Sequence, residues 1–433
     1  MKWQEYYDSH TTTAEEAVKV IQSGDRVVLG HACGEPQLIV DALVARADEL
    51  ESVEIAHEVP MGKGTYCLPQ YAKSFRHNAL FSGKPSRQAI REGRADYTSI
   101  YLHELPILFT SGQFPIDVAM VTVSPPDEHG RISLGVSVDY TLQAIKSSKT
   151  VIAEVNPNMP VTGEGSLIPV EDIDFFVPVN IPLIIQNPPI IGEVEKTIGQ
   201  NIADLIKDGD CLQLGIGAVP DAILSCLNDK RDLGIHSEMI SDGVMNLVKS
   251  GVINCSRKNY YPNKIVIAFA MGTSEFYQWL DHNSLIEALP VSITNEPYNI
   301  CKNDNMVAIN SALSVDLLGQ VAADTLSGIQ FSGVGGQVDF VRGANNSKGG
   351  RAIIALPATA AGGSVSRIVA TLAPGQAVTT SRYDVDIVVT EYGVAHLKWK
   401  TNRDRAKALI SIAAPEFRET LKNQYNQLYG EIL

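Results

Sequence analysis

The chain has 433 residues, with 49 acidic against 35 basic side chains and a formal net charge of −14, so it lacks the concentrated basic surface that a nucleic-acid footprint requires. Its composition, 45% hydrophobic and 19% charged with 34 glycines and 22 prolines, suits a loop-rich folded protein with no disordered block, and its length points to two domains of roughly 200 residues each. The apolar run Ile265–Met271 is far shorter than a bilayer span and the N-terminus has no signal-peptide core, so a cytoplasmic protein that does not enter a membrane is expected.

Thr13-Ala-Glu-Glu16 has the spacing of a capping box, and Ala14, Ala17, Val18 and Ile21 share one helical face before Gly24 stops the helix. A short strand, Arg26–Leu29, follows. A glycine-containing turn from Gly30 then opens a helix over Leu38–Leu43, and a second apolar strand ends in Ile55-Ala-His-Glu58. Further strands are expected at Asp117–Val123 and Thr150–Glu154.

The pattern then repeats. Two prolines at Pro188-Pro189 interrupt the periodicity, and we place a domain boundary there, giving domains 1–188 and 189–433. Val194, Ile198, Ile202, Leu205 and Ile206 form a helical stripe closed by Gly209, and Cys211–Leu214 is the next strand. Gly215-Ile-Gly-Ala-Val-Pro220 is its turn, a helix runs over Asp221–Leu227, and the following strand ends in Ile235-His-Ser-Glu238. The offset between copies is 185 residues at Asp25 and Asp210, and 180 at Glu58 and Glu238. Later strands are expected at Ile265–Phe269, Arg351–Leu356 and Val385–Thr390. Alternating strands and helices indicate mostly parallel sheets, so the fold class is α/β, with two related open domains.

The six cysteines are scattered and are read as reduced core residues, and no histidine pair has metal-ligand spacing, so no metal is expected. Gly215-Ile216-Gly217 follows a strand and opens a helix, a setting in which backbone N–H groups meet a phosphate or an oxyanion; by itself it is equally a tight turn. Gly333, Gly335 and Gly336 concentrate three glycines in four positions, a loop able to aim N–H donors at a ligand or to form a hairpin or bulge. Glu58 and Glu238 are both carboxylates at apolar strand ends, where burial is costly unless a cleft or hydrogen bonds serve them. Spacing does not choose between them, nor between a nucleophile and a structural ion pair.

Taken together, Gly215–Pro220, His236-Ser-Glu-Met-Ile-Ser-Asp-Gly243, Phe331-Ser-Gly-Val-Gly-Gly-Gln-Val-Asp-Phe340 and Val388-Val-Thr-Glu-Tyr-Gly393 resemble the acetyl-CoA hydrolase/transferase family of CoA-transferases, as do Val123-Ser-Pro-Pro-Asp127 and Asp139-Tyr-Thr141. The resemblance covers essentially the whole chain and is strongest to the members that use 4-hydroxybutyrate. It implies that Glu238 is the nucleophile and that Asn295 and the Gly336 N–H stabilise the oxyanion. It also implies that Gly215, Ile216, Gly217, Gly333, Gly335 and Gly336 line the site for coenzyme A esters, with no tightly bound cofactor. His31 and Gln37 match positions facing the acyl pocket, with His57 a further polar candidate. The resemblance further implies a homodimer with its site between two α/β domains, acting on acyl-CoA and small carboxylic acids by ping-pong transfer. Butyrate or propionate paired with acetate, or hydrolysis, are the neighbouring activities. A regulatory nucleotide- or sugar-phosphate-binding module without turnover is the reading from another class.

Overall fold

A computed structural model describes residues 2–430 and 432–433. Two compact units emerge, the first made of residues 1–187 and 266–294, the second of 188–265 and 295–433. The second unit is therefore not the continuous 189–433 of the sequence reading. The expected strand Ile265–Phe269 splits into Ile265–Ile267 and Phe269–Ala270. Backbone pairing draws this stretch into the first unit: Val138 and Asp139 N–H both donate to Ala268 O at 3.1 Å, and Ala270 N–H donates to Val136 O at 2.9 Å.

In the first unit Thr13 caps its helix as expected, its Oγ1 accepting from Glu16 N–H at 3.3 Å. The α-helix covers only Ala14–Ala17 and tightens into a 3₁₀ turn at Val18–Val20. β1 (Arg26–Leu29) leads to α1 (Gln37–Ala45), β2 (Val53–His57), β3 (Phe75–Ala79), β4 (Ala95–Tyr97), β5 (Ile116–Val123), β6 (Ser148–Val155) and β7 (Phe175–Pro178). The strands form one parallel sheet in the order β4-β3-β2-β1-β5-β6-β7. Val27, Val28 and Leu29 are all buried, as a strand covered on both faces requires. Ile39, Val40, Leu43 and Val44 give α1 the apolar stripe that packs against it.

The second unit begins with α2 (Glu193–Ala203), β8 (Cys211–Leu214), α3 (Ala218–Ser225) and β9 (Gly234–Ile235). It continues with β10 (Met306–Ser311), α4 (Gln337–Asn346), β11 (Arg351–Ala355), β12 (Ile387–Thr390) and β13 (Gly393–His396). The sheet order is β9-β8-β10-β11-β12-β13, parallel except for the β12–β13 pair. In each unit the first strand of the repeat, β1 or β8, lies between strands reached in opposite directions. Such switch points leave a crevice beyond the carboxyl ends of the strands.

Strand register demonstrates the duplication. Arg26 pairs with Glu54 in β1–β2, and Cys211 with Gly234 in β8–β9. Counting on from each partner brings Glu58 and Glu238 to the same place in their sheets. What surrounds them differs.

Candidate active site

Glu238 stands where β9 leaves the sheet. The strand is only two residues long, and Ser237 replaces the next ladder rung with its side chain: Oγ donates to Leu214 O at 3.1 Å and accepts from Leu214 N–H at 3.4 Å. The following carboxylate is half-buried. Asn295, fully buried, donates Nδ2 to Glu238 Oε2 at 2.8 Å. Its amide orientation follows from chemistry, since exchanging O and N would set a carbonyl oxygen against the carboxylate. Asn295 Oδ1 is buried without a hydrogen-bond partner.

Gly336 closes the group as the N-cap of the ten-residue α4. A Cβ there would collide with Glu238 Oε2 and lie 2.5 Å from Asn295 Nδ2, so only glycine lets the helix start approach this closely. The positive end of α4 thus faces a carboxylate and favours negative charge there. A carboxylate, an amide donor and a helix N-terminus converge within the second unit, the combination of groups that acyl transfer calls for.

The two glycine segments each lead into a helix, the first from β8 into α3 and the second into α4. Gly217 has φ +119°, and neither it nor Gly215 has an atom within 4 Å of the Cβ position, leaving the turn after β8 open; Ile216 is 45% exposed. The glycines of residues 330–340 lie outside any strand pairing. A hairpin pairs Thr325–Leu326 with Ile329–Gln330, and the glycine loop then leads into α4. Phe331 and Ser332 N–H anchor the loop on Asp324 O at 2.8 and 3.1 Å, placing buried Gly333 and left-handed Gly335 (φ +52°) just before Gly336.

In the first unit Glu58 is 3% exposed and belongs to a buried array. His31 Nε2 is 3.5 Å from Glu58 Oε2, and its Nδ1 is 3.1 Å from Asp139 Oδ2. Asp139 is itself held by Ser137 Oγ at 2.9 Å and Tyr140 N–H at 2.7 Å. His57 Nδ1 is 3.1 Å from Tyr66 Oη in the core, and Gln37, half-buried, begins α1 beside Glu35, Asp41 and Lys63.

The N-terminus of α1 is not open to a ligand phosphate. Glu154 fills it, Oε1 accepting from Leu38 N–H at 2.5 Å and Ile39 N–H at 2.9 Å. The register-equivalent residue of the second unit is Ala355: Thr122 pairs with Glu154 as Ser311 pairs with Ala355. An internal anion therefore occupies one copy of the helix start, and alanine occupies its place in the other. Burial pushes the Glu154 carboxyl up to about 7, against its helix N–H bonds, and does the same to Glu35, which accepts from Met61 and Gly62 N–H.

A carboxyl whose pKa rises on folding binds its proton more tightly in the folded state. Its contribution is full below about 4.5 and lost as pH rises through about 7. Each of the two should therefore cost about 3 kcal/mol of stability between pH 5 and pH 8. Glu154→Gln keeps an acceptor for the helix and should flatten that slope by about half in urea titrations at the two pH values. An unaltered slope would show that Glu154 ionises without penalty.

Sequence reasoning passed over Glu35, Glu154 and Lys258. The first two differ from solvated carboxylates only through burial, and Lys258 lies in an aperiodic polar loop. Four cysteines are buried as expected, whereas Cys226 and Cys301 are half-buried. His236 is a packed core histidine, its ring 6.0 Å from Tyr260 and 6.2 Å from Phe340. Among the described residues no group of His, Cys, Asp or Glu has metal-site geometry, and no helix is long and apolar enough to cross a membrane.

Comparison with known proteins matches residues 1–184 to the acetyl-CoA hydrolase/transferase N-terminal domain and residues 272–425 to the C-terminal domain. The 4-hydroxybutyrate coenzyme A transferase of Clostridium kluyveri is 55% identical over 99% of this chain and 100% of its own. Two crystal structures superpose over 99% of this chain and 100% of theirs. RipA from Yersinia pestis has a TM-score of 0.95 at 36% identity. The 4-hydroxybutyrate CoA-transferase from Porphyromonas gingivalis has a TM-score of 0.85 at 40% identity.

Proposed function

Because the chain belongs to the acetyl-CoA hydrolase/transferase family, we propose that it is a CoA-transferase exchanging CoA between an acyl-CoA and a free carboxylic acid through a thioester on Glu238. The observation that carries this reading is the Glu238 carboxylate held by Asn295 and faced by the start of α4 at Gly336. A carboxylate with reference pKa about 4.3 is ionised at neutral pH and needs no general base. Glu238 attacks the thioester carbonyl, the C–S bond breaks, and a mixed anhydride and CoA thiolate result. The thiolate attacks the glutamyl carbonyl, releasing the first acid and leaving glutamyl-CoA. The second carboxylate reverses these steps and departs as its own CoA ester.

Carboxylate is a weak nucleophile, so stabilising the tetrahedral oxyanion is the main demand, and one donor is worth about 3 kcal/mol. Asn295 Nδ2 and the Gly336 N–H are the donors in this reading. The open Gly215–Gly217 turn and the Gly333–Gly335 loop receive the CoA ester. His31 and Gln37 contribute to acyl recognition. Acetyl-CoA and 4-hydroxybutyrate are the proposed pair, supported by the 55% identity to the Clostridium kluyveri enzyme. The enzyme in this reading is a cytoplasmic homodimer with no tightly bound cofactor, which sedimentation at twice the chain mass would support.

The test is incubation with acetyl-CoA, rapid borohydride quenching and peptide mapping. Reduction of a glutamyl thioester to an alcohol, confined to Glu238, is the expected result. In turnover assays 4-hydroxybutyrate should appear as its CoA ester as acetate is released. Free CoA accumulating at the same rate with and without added acid would identify a hydrolase instead.

A further inference from the structure

β9 is the edge strand of the second unit's sheet. Gly234 and His236 donate their N–H groups to Asp210 O and Leu212 O at 2.9 and 3.1 Å. The intervening Ile235 therefore turns its N–H and C=O off the sheet, where such groups need other partners. Just upstream the backbone supplies them: Leu233 N–H donates to Val252 O and Cys255 N–H donates to Leu233 O, both at 3.0 Å. The chain then turns away at Cys255 (φ +57°) and side chains take over. Ile235 N–H meets the Cys255 sulfur, and Lys258 Nζ donates to Ile235 O at 2.8 Å and Lys264 O at 2.6 Å.

Lys258 is 5% exposed, and no carboxylate among the described residues pairs with it. Burying an ammonium without a counter-ion is costly, and an apolar side chain would fill the space more cheaply. It would also remove the donor that Lys258 supplies to Ile235 O and Lys264 O. Gly234 makes room for the lysine stem, since a Cβ there would lie 2.7 Å from Lys258 Cγ.

We propose that Lys258 is a positioning residue for Glu238: its ammonium pins the outward carbonyl of Ile235 and thereby sets the reach of the nucleophile toward Asn295 and Gly336. This rests on Glu238 being the nucleophile. The strand has almost no ladder of its own, so the clamp replaces a neighbouring strand at the point where the backbone must be most exact.

The experiment compares wild type, Lys258→Met, Lys258→Arg, Gly234→Ala and Glu238→Ala in steady-state transfer and in single-turnover trapping of the thioester, per folded molecule. Lys258→Met should lower kcat about 30-fold to 100-fold, the scale of a 1 Å misplacement. Its KM for the CoA ester should stay within about twofold, and the thioester should form more slowly by the same factor as kcat. Lys258→Arg, which keeps the donors, should restore most of the rate. Gly234→Ala crowds the lysine stem and should act in the same direction, so it serves if Lys258→Met does not fold. Wild-type kcat in Lys258→Met or Gly234→Ala, or no recovery in a folded Lys258→Arg, overturns the proposal. Absence of a wild-type thioester at Glu238 would instead remove the reading beneath it.

Discussion

Glu238→Ala should lose transfer activity by about 10⁴-fold or more, because it removes the atom that forms both covalent intermediates of the proposed mechanism. CoA ester binding should persist, since the glycine segments are unchanged, so the loss should fall in kcat. The informative comparison is Glu58→Ala. Glu58 holds the same register in the first sheet, yet it is buried against His31, which is itself tied to Asp139. Its removal should disturb the His31 ring and cost less than about 30-fold, with the thioester still trapped on Glu238. Equal losses in the two variants, measured per folded molecule, would sink the assignment of the nucleophile.

Spacing made the two glutamates equivalent, and only the family resemblance set Glu238 apart from Glu58. The Gly-Asp turn and the apolar runs of β1 and β8 are local signals, legible because a strand covered on both faces must be apolar throughout. The helix beginning at Gln337 was hidden behind three glycines. Its start is set by the close approach of Gly336 to Glu238, a tertiary constraint that leaves no local pattern. Asn295 is marked only by the family resemblance, since it lies between two four-residue helices with no periodicity around it. The packing of 266–294 with the first compact unit was illegible for a similar reason. Ile265–Phe269 reads as one apolar strand, and it is non-local hydrogen bonds, such as those of 136–139 to Ala268 and Ala270 and of Ala288 N–H to Thr162 O, that draw residues 266–294 into the first unit.

Gly336→Ala should be nearly as damaging as loss of the nucleophile, although it adds a single methyl group. Gly336 has φ −88° and ψ 5°, an ordinary conformation for alanine, so backbone strain is not the cause. The methyl carbon would overlap Glu238 Oε2 and crowd Asn295 Nδ2. The start of α4 must then retreat or the carboxylate must swing away from the amide. Either movement separates the proposed nucleophile from its proposed oxyanion donors, and losing one donor already costs about 10²-fold to 10³-fold in kcat. We expect a loss of about 10³-fold in kcat with a change in unfolding free energy under about 2 kcal/mol, because the collision is with half-buried functional groups and not with the core. Asn295→Ala should cost about 10²-fold to 10³-fold by removing the same donor without moving the helix. A double variant no slower than Gly336→Ala would show that the two residues act on one oxyanion, whereas fully multiplicative losses would mean that each acts at a separate step.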